Sequence, residues 1–557
     1  MDLGHLMWIA MAILVVAGVI GGPRLDHLSR RWQWGSSLSA VYDTAFHNIA
    51  VLKKEDQVSV FTNGLWQFSE PDRLSAEHGV HLALLQHPQP KTVLLLGGGI
   101  AGLMEEMLKL PGIRHIDYVE PDPAFIPLLK PHLSSATNAS FDYQRIRLVH
   151  EDPRIFMRRS QTRYDVILMN MGDPITAQMN RFYTTEFFAH VKQRLSPGGI
   201  FSFAVSGGES MLGPTQARFL GSIKKTLLQI FPLTLIYPGD QNRFFATDRS
   251  GVLLSDYAAL ADRISERNLQ LTYIREDILQ DALSPFRLDY LKSILNGVQG
   301  LAINRDFAPI CYFHNLMMWG VQWHAGLQKL LHTLADVKLR WLWTALAAIG
   351  VIVVAIFWSG RCKMRGAVAG SIFVSGGIEM VLQVVFLLSF QIIAGFVYQQ
   401  LALIIAFFMA GLAVGAGWIA WQSPSQSKTI AVRGRFIRIQ ALVCVLPLGL
   451  MLLLPLIQGE FRNFLSPAAM GWLFSGLSLV TGILGGVHFA LAVNVMASAG
   501  ASVEKIGGVF YALDLAGAAA GVLLATLFIL PIYGIMNTLM FLSTLAAISL
   551  LTLLRQP

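Results

Sequence analysis

The chain has 557 residues, of which 54% are hydrophobic and 14% charged, and it carries a net charge of +8. That balance excludes a single soluble domain, and because much of the basic excess flanks long apolar runs, it points to lipid headgroups and membrane topology, with no nucleic-acid partner. Three cysteines, Cys311, Cys362 and Cys444, supply neither a disulfide framework nor a zinc cluster, so no metal site is expected.

The first apolar run is Leu6–Gly22. Met1–His5 before it has no Lys or Arg, and no small-x-small cleavage site follows. Residues 1–24 therefore read as a retained anchor, not a cleaved signal peptide. Residues 25–90 form the next block. Between Val41 and Phe68, β-rich runs such as Ile49–Leu52 and Val58–Phe61 alternate with polar turns, including Thr62-Asn63-Gly64. This spacing predicts a small β-hairpin element, followed by a helix over Arg73–His87.

Residues 91–335 have another pattern. Thr92–Leu96 is an unbroken apolar run, as expected of a strand covered on both faces of a parallel sheet. It leads into Gly97-Gly98-Gly99-Ile100-Ala101-Gly102 and a predicted helix at Leu103–Leu110. Further strands are predicted at Ile116–Glu120, Ile146–His150, Val166–Met169 and Ile200–Val205, separated by helices such as Thr185–Leu195. The alternation predicts a doubly wound, Rossmann-like α/β domain that takes its ligand at the carboxyl ends of the strands. Glycines at a strand-to-helix turn let backbone approach a nucleoside where side chains would block it. Glu120 ends the second strand about twenty residues downstream, where a carboxylate can accept both ribose hydroxyls. Asp152 ends the next strand, ahead of Pro153, where an acid can meet an adenine amino group. Asp173 follows the strand Val166–Met169.

From Tyr42 to Asp248 the chain resembles the spermidine synthase family, the polyamine aminopropyltransferases. The matching stretches are Thr62-Asn63-Gly64-Leu65-Trp66-Gln67, Glu77 with His81, and His87 through Gly99. Val119-Glu120-Pro121-Asp122, Tyr164-Asp165-Val166-Ile167, Asp173-Pro174, Phe182–Phe188 and Leu195-Ser196-Pro197-Gly198-Gly199 complete the order. The resemblance implies binding of decarboxylated S-adenosylmethionine or S-adenosylmethionine as co-substrate, with no tightly bound cofactor, and a small-molecule amine as acceptor. It carries nucleoside contacts onto Gly97, Gly98, Gly99, Glu120, Asp152, Pro153 and His47, and acceptor contacts onto Gln67, Glu77 and Tyr183.

The departures bear on function. The family follows its glycines with Asp-Gly, and this chain has Ile100-Ala101. The family's proton-accepting Asp after the fourth strand is Asn170 here, and an amide cannot accept that proton. The family's Tyr and His ahead of its Glu are Ser75 and Ala76, and its nucleoside-contacting Gln is His47. Asp173 is the alternative base. Three functions are therefore expected, in this order: a membrane-bound transferase with an altered base, a non-catalytic nucleoside or polyamine sensor coupled to transport, and an S-adenosylmethionine-dependent methyltransferase.

Residues 336–557 form the last block, in which apolar runs near 340–358, 367–391, 394–421, 439–457, 470–497, 507–531 and 535–554 are each long enough to cross ~30 Å of hydrocarbon. They predict a bundle of about seven helices in a cell membrane, taken as the inner membrane. Asn304-Arg305-Asp306-Phe307-Ala308-Pro309 with Tyr312 and Trp319, Ser375–Glu379, Phe408–Gly411 and Gly508–Asp514 resemble segments of membrane-linked relatives of the same synthases. Gly411-x-x-x-Gly415 and Gly517-x-x-x-Gly521 read as helix-packing faces. Glu379, Gln383, His488, Asn494 and Asp514 are costly at membrane depth unless they face protein or water, and Glu379 and Asp514 are candidates for a substrate or proton route. Arg361, Lys363, Arg365, Lys428, Arg433, Arg435 and Arg438 in two loops oppose Arg24, Arg30, Arg31, Lys338 and Arg340 beside the soluble domain, leaving the side of that domain open. A homodimer is a further expectation.

Overall fold

The computed structural model describes residues 3–208, 211–320, 326, 333–334, 336–360, 364–395, 398–422, 429–459, 465–498 and 502–554. Arg361, Cys362, Lys363 and Lys428 lie outside the described residues. The chain divides into two compact units. The first is Met1–Met171, Leu195–Phe203 and Leu254–Asp281; the second is Gly172–Arg194, Ala204–Leu253 and Ala282–Pro557.

The first unit begins with helix α1 (Leu3–Trp34), which continues through Pro23. Four strands follow, β1 (Leu38–Asp43), β2 (Asn48–Lys54), β3 (Gln57–Thr62) and β4 (Leu65–Glu70), paired in that order. The element is thus an antiparallel meander, wider than the hairpin expected from the sequence. Asn63 (φ 52°) and Gly64 (φ 81°) make its last turn, between Thr62 and its partner Leu65. Two left-handed residues in a two-residue loop are what an Asn-Gly hairpin supplies, and they extend the pairing to β4.

Helix α2 (Arg73–Leu84) is capped by Asp72, which accepts from the Ser75 amide at 3.0 Å. It ends short of the expected His87 because two arginines take its last carbonyls: Arg263 bonds Gln86 O at 2.7 Å, and Arg267 bonds Leu84 O at 3.0 Å and His87 O at 2.6 Å. Strand β5 (Thr92–Leu96), helix α3 (Leu103–Leu108), β6 (His115–Val119), β7 (Ile146–Val149), helix α4 (Pro153–Arg159), β8 (Tyr164–Met169) and β9 (Leu195–Ser206) build a parallel sheet. These strands are consecutive in a seven-stranded sheet, in the order β9-β8-β5-β6-β7. Val93 through Leu96 are fully buried at its centre. The glycine turn after β5 therefore opens at the carboxyl edge of the central strand, as in a doubly wound fold.

The second unit contains helix α5 (Thr185–Arg194), the antiparallel pair β10 (Leu233–Tyr237) and β11 (Gln241–Thr247), and a set of long helices. These are α6 (Leu339–Trp358), α7 (Met364–Ala394), α8 (Tyr398–Gln422), α9 (Thr429–Gly459), α10 (Pro467–Ser498), α11 (Val503–Leu524) and α12 (Leu530–Leu554). Among the described residues, seven stretches, α1 included, are long and apolar enough to cross a membrane. The last of them runs over Lys505–Leu554 and is broken at Gly534 (φ 83°, ψ 170°), which separates the two final spans expected from hydropathy.

The bundle is apolar outside and keeps its polar side chains inside, among two buried hydrophobic clusters, as a hydrocarbon solvent requires. Leu452 and Val351 are 72% and 70% exposed, whereas His488 and Gln440 are fully buried. Its tightest pairings are α8 with α10, α7 with α11 and α9 with α12. Glycines make the first two possible. A Cβ on Gly411 or Gly415 would fall on the Leu479 or Ile483 carbonyl of α10, and one on Gly521 would sit 2.8 Å from the Gly377 Cα of α7.

Gly534 also has a partner outside the bundle helices. The Ile535 amide donates to the Phe307 carbonyl at 2.7 Å, and a Cβ on Gly534 would lie 2.5 Å from that oxygen. Gly534→Ala combines a left-handed residue with this collision and should cost about 1–3 kcal/mol. The check is the thermal midpoint of full-length protein in detergent, set against Gly449→Ala, where a Cβ meets open space. The first variant should melt lower and the second should not.

Candidate active site

The turn after β5 is shaped by what lies against it. Gly97 and Gly98 have φ of 72° and 68°, a region that disfavours other residues. A Cβ on Gly98 would fall on the Asn170 side chain, and one on Gly97 would lie 3.2 Å from the Asn170 carbonyl oxygen. Gly99 is constrained differently: its Cβ would lie 2.6 Å from the Tyr118 ring. The triplet thus fits between the end of β8 and the end of β6. Asn170 is held by its amide, which donates to Leu96 O at 3.0 Å, and its side chain is exposed.

Tyr118 connects the glycines to Glu120. Its buried hydroxyl donates to Glu120 Oε2 at 3.2 Å, and the Asp122 amide donates to Glu120 Oε1 at 3.3 Å. Glu120 is 6% exposed. Burial pushes its carboxyl up to about 7, and the Asp122 amide and Tyr118 only partly oppose that. Asp122 extends the arrangement by accepting from Thr44 Oγ1 at 2.6 Å, and the same Thr44 oxygen receives the His47 amide at 2.9 Å. The β1–β2 turn is thereby pinned to the end of β6, with the His47 ring 6.0 Å from Phe125. Burial also holds His47 below its ordinary value, which favours neutral imidazole.

The other sequence-predicted residues sit as follows. Asp152 is the N-cap of α4, with Oδ1 accepting from the Arg154 amide at 3.0 Å and the Ile155 amide at 3.4 Å, and Pro153 opens the helix. Glu77 is buried, and its carboxylate receives the Thr272 amide at 3.0 Å and the Tyr273 amide at 2.7 Å, so it anchors the 271–274 loop onto α2. Gln67 lies exposed on edge strand β4. The first unit therefore gathers Gly97–Gly99, Glu120, Asn170 and His47 around the ends of β5, β6 and β8. Tyr118, Thr44 and Asp122 complete the set without having been singled out for a role from sequence. The signal for Tyr118 was period two on β6, which places it on the same face as Glu120.

In the second unit, Asp173 Oδ1 accepts from the Ser206 amide at 2.8 Å, and burial raises the Asp173 carboxyl above its ordinary value. The Tyr183 hydroxyl donates to the Gly172 carbonyl, and its own carbonyl receives Asn304 Nδ2 at 3.0 Å. Thr184 Oγ1 donates to Asp306 Oδ1 at 2.7 Å, while Gln458 Nε2 from α9 donates to Asp306 Oδ2 at 2.5 Å. The Asn304–Pro309 segment thus ties the residues around Tyr183 to the long helices.

The profile of the spermine/spermidine synthase domain matches residues 74–234. Residues 74–234 are thus similar to that domain. Over 191 residues the chain is 28% identical to a polyamine aminopropyltransferase of Leptospira interrogans, covering 34% of this chain and 38% of that protein. A Mycobacterium tuberculosis polyamine aminopropyltransferase is 27% identical over 230 residues, 40% of this chain and 43% of its own length. The chain thus spans about two fifths of the length of these curated relatives. Among solved structures, a spermidine synthase in complex with the transition-state analogue AdoDATO aligns at 21% identity and TM-score 0.41, over 47% of this chain and 89% of that one. The synthase domain contains both the glycine turn and Glu120, and its matched region ends within β10.

The Glu120 carboxyl gives the synthase domain a pH signature. A ribose diol donates to carboxylate and loses those acceptors when the group is protonated. Affinity for a nucleoside whose ribose meets Glu120 should therefore be full above about pH 8 and fall as pH drops through about 7, approaching tenfold per unit on the acid side. Calorimetry of full-length protein between pH 5.5 and 8.5 measures this, and Glu120→Gln should flatten the profile at the weak end.

Proposed function

We propose that this chain is a membrane-bound transferase that binds decarboxylated S-adenosylmethionine and passes its aminopropyl group to an amine. The observation that carries the reading is the Gly99–Tyr118–Glu120 arrangement, in which a glycine turn and a doubly supported carboxylate stand at adjacent strand ends. In the reaction, the neutral amine nitrogen attacks the carbon beside the sulfonium. The carbon–sulfur bond breaks with its electron pair returning to sulfur, methylthioadenosine leaves, and the new ammonium gives up a proton. Asn170 cannot take that proton. Asp173, three residues on, is the acceptor in this reading: burial raises its carboxyl toward the working pH, which improves a general base. Asn170 orients by hydrogen bonding, and neutral His47 borders the nucleoside.

A second reading, nucleoside binding without transfer, is favoured by two features. An amide stands at the family's base position, and Glu77, an acceptor contact by resemblance, is occupied by two backbone amides.

Release of methylthioadenosine from decarboxylated S-adenosylmethionine by full-length protein in lipid nanodiscs, assayed with putrescine and a panel of other amines, separates the two. Asp173→Asn should lower turnover by about 10²–10⁴, the usual worth of a positioned base, and Asn170→Asp should raise it. Nucleoside binding with no product from any amine would establish the second reading. Neither binding nor product would sink both.

A further inference from the structure

The polar groups of the long-helix bundle are not scattered. Ser371, Ser375, Glu379 and Gln383 recur every fourth residue on α7, so they line one face over about 18 Å, and all four are buried. At one end of this lane Ser371 Oγ donates to Gln440 Oε1 at 2.9 Å, with His488 Nε2 at 2.7 Å from the same oxygen. Near the other, Ser478 Oγ donates to Gln383 Oε1 at 2.7 Å. Between them two carboxyl groups are admitted by missing side chains. The Glu379 carboxyl occupies the space a Cβ on Gly485 of α10 would need, and Asp514 Oδ1 of α11 lies 2.6 Å from where a Cβ on Gly376 would stand.

Neither carboxyl has a hydrogen bond or ion pair among the described residues, although Glu379 is 8% exposed. One turn along, Gln383 Nε2 is also buried without a partner. Buried polar groups in a finished structure are satisfied almost without exception, so the orphaned Gln383 Nε2, one turn from the unpaired Glu379 and the half-buried, unpaired Asp514, marks room for missing ligand atoms. A proton would cancel a charge but leave the acid's hydroxyl and carbonyl oxygens unpaired. A divalent metal needs more oxygen or nitrogen ligands than are gathered here, since no group of three His, Cys, Asp or Glu is present among the described residues. An ammonium group, with one charge and three donors, suits a pair of carboxyls that share one proton and so carry a single negative charge.

We propose that Glu379 and Asp514 form an intramembrane binding site for an alkyl-ammonium cation. That the cation is a polyamine rests on the transferase reading above; the site itself does not.

The test counts [14C]putrescine bound to full-length protein in nanodiscs, alongside calorimetric binding of the S-adenosyl nucleoside. Glu379→Gln with Asp514→Asn should remove one equivalent of bound amine, or weaken it more than tenfold, while nucleoside binding at Glu120 stays unchanged. Glu379→Asp should retain part of the amine binding. If the double variant fails to insert, Glu379→Gln alone makes the same comparison. Equal amine binding in wild type and a well-folded variant overturns the site, whether protons or water satisfy the carboxyls instead. A protein that binds no nucleoside but loses one equivalent of amine on substitution would overturn the transferase reading and keep this one.

Discussion

The second unit turns on the satisfaction of one buried carboxylate. Asp306 is 1% exposed, and its two oxygens face different parts of the chain, Thr184 on one side and Gln458 on the other. A hydrogen bond contributes about 0.5–1.5 kcal/mol net, and leaving a buried acceptor unpaired costs about 1–3 kcal/mol. The two bonds therefore fix where α5 begins relative to the end of α9. The neighbouring Phe307 carbonyl does the same for the break at Gly534. Tyr183, Gly172 and the Asp173 carboxyl hang from this framework through Asn304, so the proposed base is positioned by residues that also anchor membrane-type helices.

The first unit has its own organising contact, the Tyr118 ring beneath Gly99. A larger residue at 99 would displace the tyrosine, and without its hydroxyl Glu120 would keep the Asp122 amide as its one remaining support. The burial that shields Glu120 from water also raises its proton affinity, so in the proposed nucleoside site selectivity and pH sensitivity would come from a single cause. Thr44 and Asp122 bring the β1–β2 turn to this point, which gives the N-terminal meander a role in the site.

What the sequence made legible follows from which signals are local. The glycine triplet, the buried strand before it and Glu120 lie within one βαβ stretch, and their spacing alone placed them together. The long helices were legible because hydropathy needs no partner. Tyr118 was not, because an aromatic residue in a strand reads as core until its hydroxyl is seen to meet Glu120. Asp152 was read from its strand end and Glu77 came by resemblance, and neither signal carries a mark of the partners that the acid has in the fold. The structure gives one to a helix cap and the other to two amides far along the chain. Asp306 was recognised as part of a motif, but its partner Gln458 is 152 residues away, and no periodicity reports such a pairing.

That distance also sets a timetable. Asp306 and Phe307 leave the ribosome long before Gln458 and Ile535 exist, and chains are made at about 5–20 residues per second. The α/β sheet of the first unit has its strands by Phe203 and its last helical segment by Asp281. The Asp306 and Phe307 contacts with α9 and with the Gly534 break form only when nearly the whole polypeptide has been translated. A chain truncated before Gln458 would therefore leave Asp306 without one of its two partners.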